Sequence, residues 1–110
     1  MSTTTIPIRI TPEADAFATA RGFWRELDAM IERTRQVIPD LTAVSVALEE
    51  RGERDAPTPL LLISAEVRSD RAFEDRSEWD WGRWAVETFP PEIMERVCML
   101  ATYGEDVDGR

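Results

Sequence analysis

The sequence predicts an α+β fold, a two-layer sandwich in which helices cover one face of a four-stranded sheet. Three observations carry this. Hydropathy alternates with period two over residues 41–49 and 60–67, as in half-buried strands. Apolar residues recur at three-four spacing from Phe17 to Ile38, as on one face of a helix. Prolines at 39, 57, 59, 90 and 91 separate these segments. At 110 residues, the chain is expected to be a single domain, 1–110, that buries a core without metal or disulfide.

Ile6, Ile8 and Ile10 alternate with Pro7 and Arg9, a strand signal. Proline has no N–H, so this strand lies at an edge or starts late. Thr11-Pro12 reads as an N-cap followed by proline at the first helical position. Phe17, Ala20, Trp24, Leu27, Ile31, Thr34 and Ile38 then form one stripe, with Phe23, Met30 and Val37 on its flank. Pro39 ends the helix. An unbroken helix from Pro12 to Ile38 would be about 40 Å long, against a radius of gyration near 13 Å for a domain of this size. It therefore breaks around Arg21-Gly22, or overhangs and pairs with another chain. Core packing is the favoured reading.

Leu41–Glu49 is the next strand, with Val44, Val46 and Leu48 on one face. Residues 49–59 read as a charged loop. Leu60–Val67 follows as a strand and completes an antiparallel hairpin. Ser69 or Asp70 caps a second helix that runs to Thr88 or Phe89, stopped by Pro90-Pro91. A helical turn at 91–95 and a strand at 96–103 end the fold. Residues 1–5 and 104–110 are expected to be flexible ends.

This βαββαβ order is that of the ferredoxin-like, split-βαβ arrangement. If the first strand is absent, the alternative is a three-stranded antiparallel sheet with αββαβ order. The arrangement hosts many functions and selects none. The aromatic signature of RNA-recognition modules is missing from both central strands. An acylphosphatase-like site needs a catalytic amide, and the chain has no Asn.

Absent residue types restrict the chemistry. There is no His, no Lys and no Asn, and all thirteen basic residues are Arg. A Ser-His-Asp or Cys-His device, a Schiff-base lysine and a P-loop lysine are excluded within one chain. So are zinc sites made of His and Cys. Carboxylate chemistry, Arg-assisted anion binding and a lone thiol remain, which lowers the expectation of an enzyme. No cofactor and no metal are expected. The single Cys98 cannot form an internal disulfide, and with no apolar run of membrane length and no secretory leader the expected compartment is the cytoplasm. Arg in place of Lys, with abundant Ala, gives the expectation of a GC-rich bacterial source, on composition alone.

The net charge of −9 disfavours nucleic-acid backbones and anionic membranes as partners. It favours a basic protein electrostatically, or serves solubility alone, which is the favoured reading. Asp70, Glu74 and Glu78 stand at i, i+4 and i+8 and could line a cation. A solvated helix face with interspersed Arg71, Arg76 and Arg83 is the favoured reading. Glu105–Gly109 lacks the register and terminal Glu of a calcium loop. Cys98 reads as a small core residue.

The stretch Ser77–Trp84, SEWDWGRW, holds three of the four tryptophans. On a continuous helix Trp81 and Trp84 point together, with Phe73 and Thr88. Trp79 points about 160° from Trp81, beside Ala72 and Val86. Such a helix has two apolar stripes, and one sheet face covers only one. Trp79, Val86, Ala72 and Gly82 are therefore the candidate partner contacts, with Gly82 permitting close approach of another backbone. The function expected is a protein-interaction module, acting as a homodimer or as the partner of a basic protein. The alternatives are a small-molecule binder or enzyme using Arg and carboxylates, and an acidic nucleic-acid mimic.

Overall fold

Thr11 and Pro12 start the first helix as their types dictate. In the computed structural model, which describes residues 6–53 and 56–103, the Ala14 amide donates to Thr11 Oγ1 at 3.1 Å. Helix α1 spans Pro12–Arg21 and ends at Gly22, whose left-handed φ of 70° closes it with amide bonds to Ala18 and Thr19 carbonyls. Helix α2 spans Trp24–Val37. The predicted break at Arg21-Gly22 is therefore present. Leu27, Met30, Ile31 and Thr34 form the buried stripe of α2. Thr34 satisfies its buried hydroxyl on the Met30 carbonyl at 2.8 Å.

The strands are β1 (Ile8–Ile10), β2 (Leu41–Glu53), β3 (Ala56–Val67) and β4 (Val97–Tyr103). Between β3 and β4 lie α3 (Arg71–Glu74), α4 (Ser77–Thr88) and α5 (Pro91–Met94). The predicted turn at 91–95 and strand at 96–103 are thus found as α5 and β4.

The sheet is α+β in class, but it is not ferredoxin-like and not a three-stranded antiparallel sheet. Its four strands run in the order β1-β2-β3-β4. The β1/β2 pair is parallel, β2/β3 antiparallel and β3/β4 parallel. Each helical crossover returns its strand beside the one it left, so neither βαβ unit is split. A ferredoxin-like sheet would place β1 in the interior. Here β1 is three residues long, follows Pro7 and serves one neighbour, as the missing proline N–H favours.

The expected loop at 49–59 is also corrected. Glu49 pairs with Leu60, Arg51 with Thr58 and Glu53 with Ala56, so the hairpin extends well beyond β1 and β4. Pro57 and Pro59 fit this strand for a positional reason. Leu61 turns its amide away from β2, to the Arg96 carbonyl at 2.7 Å. With period two, positions 57 and 59 present their nitrogens on that same side, before β4 begins. No ladder bond is lost there. The ends expected to be flexible, 1–5 and 104–110, lie outside the described residues.

One face of the sheet carries Val44, Val46, Leu61, Ile63, Ala65, Met99 and Ala101, which join residues of all five helices in one hydrophobic cluster. The opposite face carries Arg9, Ser45, Leu62, Ser64, Glu66, Cys98 and Leu100, none of which belongs to that cluster. The β4 edge is guarded from α4: the Ala101 amide donates to Glu78 Oε2, which removes one free edge donor. No helix among the described residues is long and apolar enough to cross a membrane.

Candidate partner-binding surface

The predicted second helix is interrupted, and the interruption decides what its faces do. Arg76 adopts a left-handed φ of 62° between α3 and α4. The Asp75 carboxylate accepts the Ser77 amide at 3.2 Å and the Ser77 hydroxyl, fixing the turn. A non-helical residue resets the helical phase. On an unbroken helix Phe73 would join Trp81 inside, and Ala72 would join Trp79 outside. The reverse is found: Ala72 is fully buried and Phe73 is 39% exposed. Ala72 therefore does not share a surface with Trp79.

The inward face of α4 carries Ser77, Trp81 and Ala85, all buried. Trp81 directs its indole N–H at the Met30 carbonyl of α2 at 3.4 Å, the polar partner a buried tryptophan needs. Trp84 is half-buried and packs edge-on to Trp81 at 5.9 Å and to Phe89 at 5.3 Å between ring centroids. The Arg33 guanidinium of α2 lies 5.2 Å over the Trp84 ring. These contacts fix α4 against α2, so the outward face is presented by a rigid element.

That outward face holds Trp79 and Val86, 65% and 67% exposed, with Gly82 between them. With Glu78, Arg83 and Glu87 they line an open groove of about 580 Å³. Arg76 lies 5.5 Å from the Trp79 ring centroid and covers part of it. A second depression adjoins through Val86, lined by Phe89, Pro91, Met94 and Glu95. The apolar strip thus runs from α4 onto α5, an extension that sequence periodicity could not show because it crosses the Pro90-Pro91 turn. From Ser69 to Glu95 the chain has eight carboxylates and three arginines, so this strip lies in the acidic part of the molecule.

The acidic row Asp70, Glu74 and Glu78 is dispersed by the same break. Asp70 accepts the Tyr103 hydroxyl, Glu78 holds the Ala101 amide, and Glu74 is exposed. Among the described residues no group of three potential ligands could hold a metal ion. Glu105–Gly109 lies outside the described residues. The Tyr103 phenol titrates above its ordinary value, because its hydrogen bond to Asp70 favours the protonated form, with desolvation and the nearby carboxylates of Asp70 and Glu74 adding to this.

The open sheet face has a polar depression that the sequence pattern did not single out, lined by Arg9, Ser45, Ser64, Glu66, Thr102 and Tyr103. The Ser45 hydroxyl donates to Glu66 Oε2 at 2.9 Å, and the Arg9 guanidinium lies 3.8 Å from the same oxygen. Cys98 is half-buried on this face, paired in register with Leu62, and not in the core.

Comparison with protein-family models, with curated proteins and with solved structures finds no match.

Proposed function

We propose that the chain is a protein-interaction module whose outward α4 face binds a basic protein. The observation that carries this is the exposure of Trp79 and Val86 on a helix whose opposite face is fully engaged in the core. Tryptophan is enriched at interface hot spots, where it supplies a large apolar area with few rotatable bonds. The surrounding excess of carboxylates adds long-range attraction for a basic partner and raises the association rate. The same excess opposes self-association through this face, so the basic partner is favoured over the homodimer.

The test is affinity capture from the source cell with the wild-type chain and with Trp79→Ala. The expected result is a stoichiometric basic protein that the wild type retains and Trp79→Ala does not, and that rebinds when purified. Identical retention by both chains contradicts this reading. Light scattering after size exclusion addresses the homodimer: the expected mass is that of the monomer.

A second reading, a small-molecule site of Arg and carboxylate, draws its support from the polar depression around Arg9 and Glu66. There the Glu66 oxygen already has Ser45 and Arg9 as partners, and Arg9 is mostly exposed, so a ligand would have to displace an existing pair. A thermal shift with a panel of anionic metabolites, lost in Arg9→Ala, would favour this reading over the first.

A further inference from the structure

Gly82 sits near the middle of α4, where glycine destabilises a helix by about 1 kcal/mol relative to alanine. Nothing among the described residues requires it. Its φ is not in the left-handed region, and a Cβ placed on it would meet no atom within 4 Å among the described residues beyond the backbone of its own helix and its chain neighbours. Gly22 differs, since its left-handed φ closes α1. The missing side chain at 82 therefore leaves a notch in an outward face, with Trp79 three residues before it and Val86 four residues after, on the same side of the helix.

A notch between two apolar projections on a helix suits the crossing of a second helix. Helices pack with axes about 8–10 Å apart, the separation depending on side-chain size at the contact. An extended segment gains its affinity from backbone hydrogen bonds to a free sheet edge. The middle of α4 has its backbone groups bonded within the helix and offers no such edge. The charge selects among helices. Arg83 in the groove and Arg76 over the Trp79 ring stand among the carboxylates, but the segment from Ser69 to Glu95 as a whole keeps eight carboxylates to three arginines, an excess that attracts a basic helix and opposes a second copy of the chain.

We propose that α4 docks a basic amphipathic helix that crosses it at Gly82. The apolar stripe of the incoming helix lies between Trp79 and Val86, and its cationic flanks reach Glu87 and the second oxygen of Glu78, whose Oε2 stays on the Ala101 amide. This rests on the reading of the α4 face as a binding surface for a basic partner.

The experiment is calorimetric titration of the full chain with two synthetic peptides at physiological ionic strength. One has leucines at helix-spaced positions i, i+3, i+4 and i+7 and lysines elsewhere; the other has the same composition with two central prolines added. The helical peptide is expected to bind, and the proline-broken one to bind about tenfold more weakly or less. Gly82→Leu is expected to weaken the helical peptide by about tenfold or more, as overpacking at a close contact does. The open space above Gly82 leaves the fold of that variant intact, and thermal unfolding checks this. Equal binding of both peptides, or undiminished binding by Gly82→Leu, overturns helix docking and leaves the acidic surface standing. Absence of binding to the wild type, or binding unaffected by Trp79→Ala, overturns both. A wild-type dimer that Gly82→Leu dissociates places a second copy on this face and overturns the proposal as well.

Discussion

Trp79 and Trp81 stand two residues apart on one helix, yet one is 65% exposed and the other 3% exposed. Trp81 fills the space between α4 and α2 and anchors its N–H on Met30. Trp79 touches the Arg76 guanidinium and otherwise faces the groove. The two faces of α4 teach different things. The inner face explains why the helix is where it is, through burial that the chain itself supplies. The outer face has apolar area and a glycine that the described fold does not use, and the proposed partner rests on these.

Substitutions on the two faces should separate these roles. The largest effect is expected for Trp81→Ala, which leaves a cavity in the core and an unpaired Met30 contact. It should cost about 3–5 kcal/mol of stability, read by urea unfolding, and a loss below 1 kcal/mol would break the distinction between the faces. A smaller and opposite effect is expected at Gly82. Replacing it with alanine should stabilise the chain by about 0.5–1 kcal/mol, since the new Cβ meets open space. Destabilisation there would mean that the fold uses the glycine after all. Trp79→Ala should change stability by no more than about 0.5 kcal/mol. A loss resembling that of Trp81→Ala would return Trp79 to the core.

The smallest effect concerns the neighbouring α3. Tyr103 should titrate above the ordinary phenol value of about 10, because Asp70 accepts its proton in a hydrogen bond. The raised value means that the folded state favours the neutral phenol. Its contribution to stability is present below the unfolded value and lost as pH rises through the folded one. Ultraviolet titration should show the midpoint move down toward the ordinary value in Asp70→Asn, and an unchanged midpoint would remove the hydrogen bond from the account.

Local features of this chain were legible in its sequence, and non-local ones were not. Thr11, Gly22 and Pro39 act on their own neighbours, so the start, break and end of the first helical segment could be read directly. The opposition of Trp79 to Trp81 depends only on rotation within one helix. The order of strands depends on which strand each crossover returns to, and strand directions alone do not decide this. The ferredoxin-like order and the observed one have the same directions. Pro7 held the deciding hint, since an edge strand cannot be the interior β1 of a ferredoxin-like sheet. Pro57 and Pro59 suggested a loop because the side on which their nitrogens lie is set by the reach of β4, which begins only at Val97, far along the chain. The left-handed turn at Arg76 was hidden because arginine gives no sign of it, and this one residue moved Ala72 inside and Phe73 outside.

The central claim is that the outer face of α4 is the working surface of the molecule. Amide chemical-shift mapping of the labelled chain, during titration with the helical Leu/Lys peptide, tests it most directly. The expected result is a set of shifts confined to the strip from Glu78 to Glu95 on α4 and α5, absent in Trp79→Ala. Shifts centred on the open sheet face around Arg9, Glu66 and Leu100, or spread evenly over carboxylates throughout the chain, would contradict it.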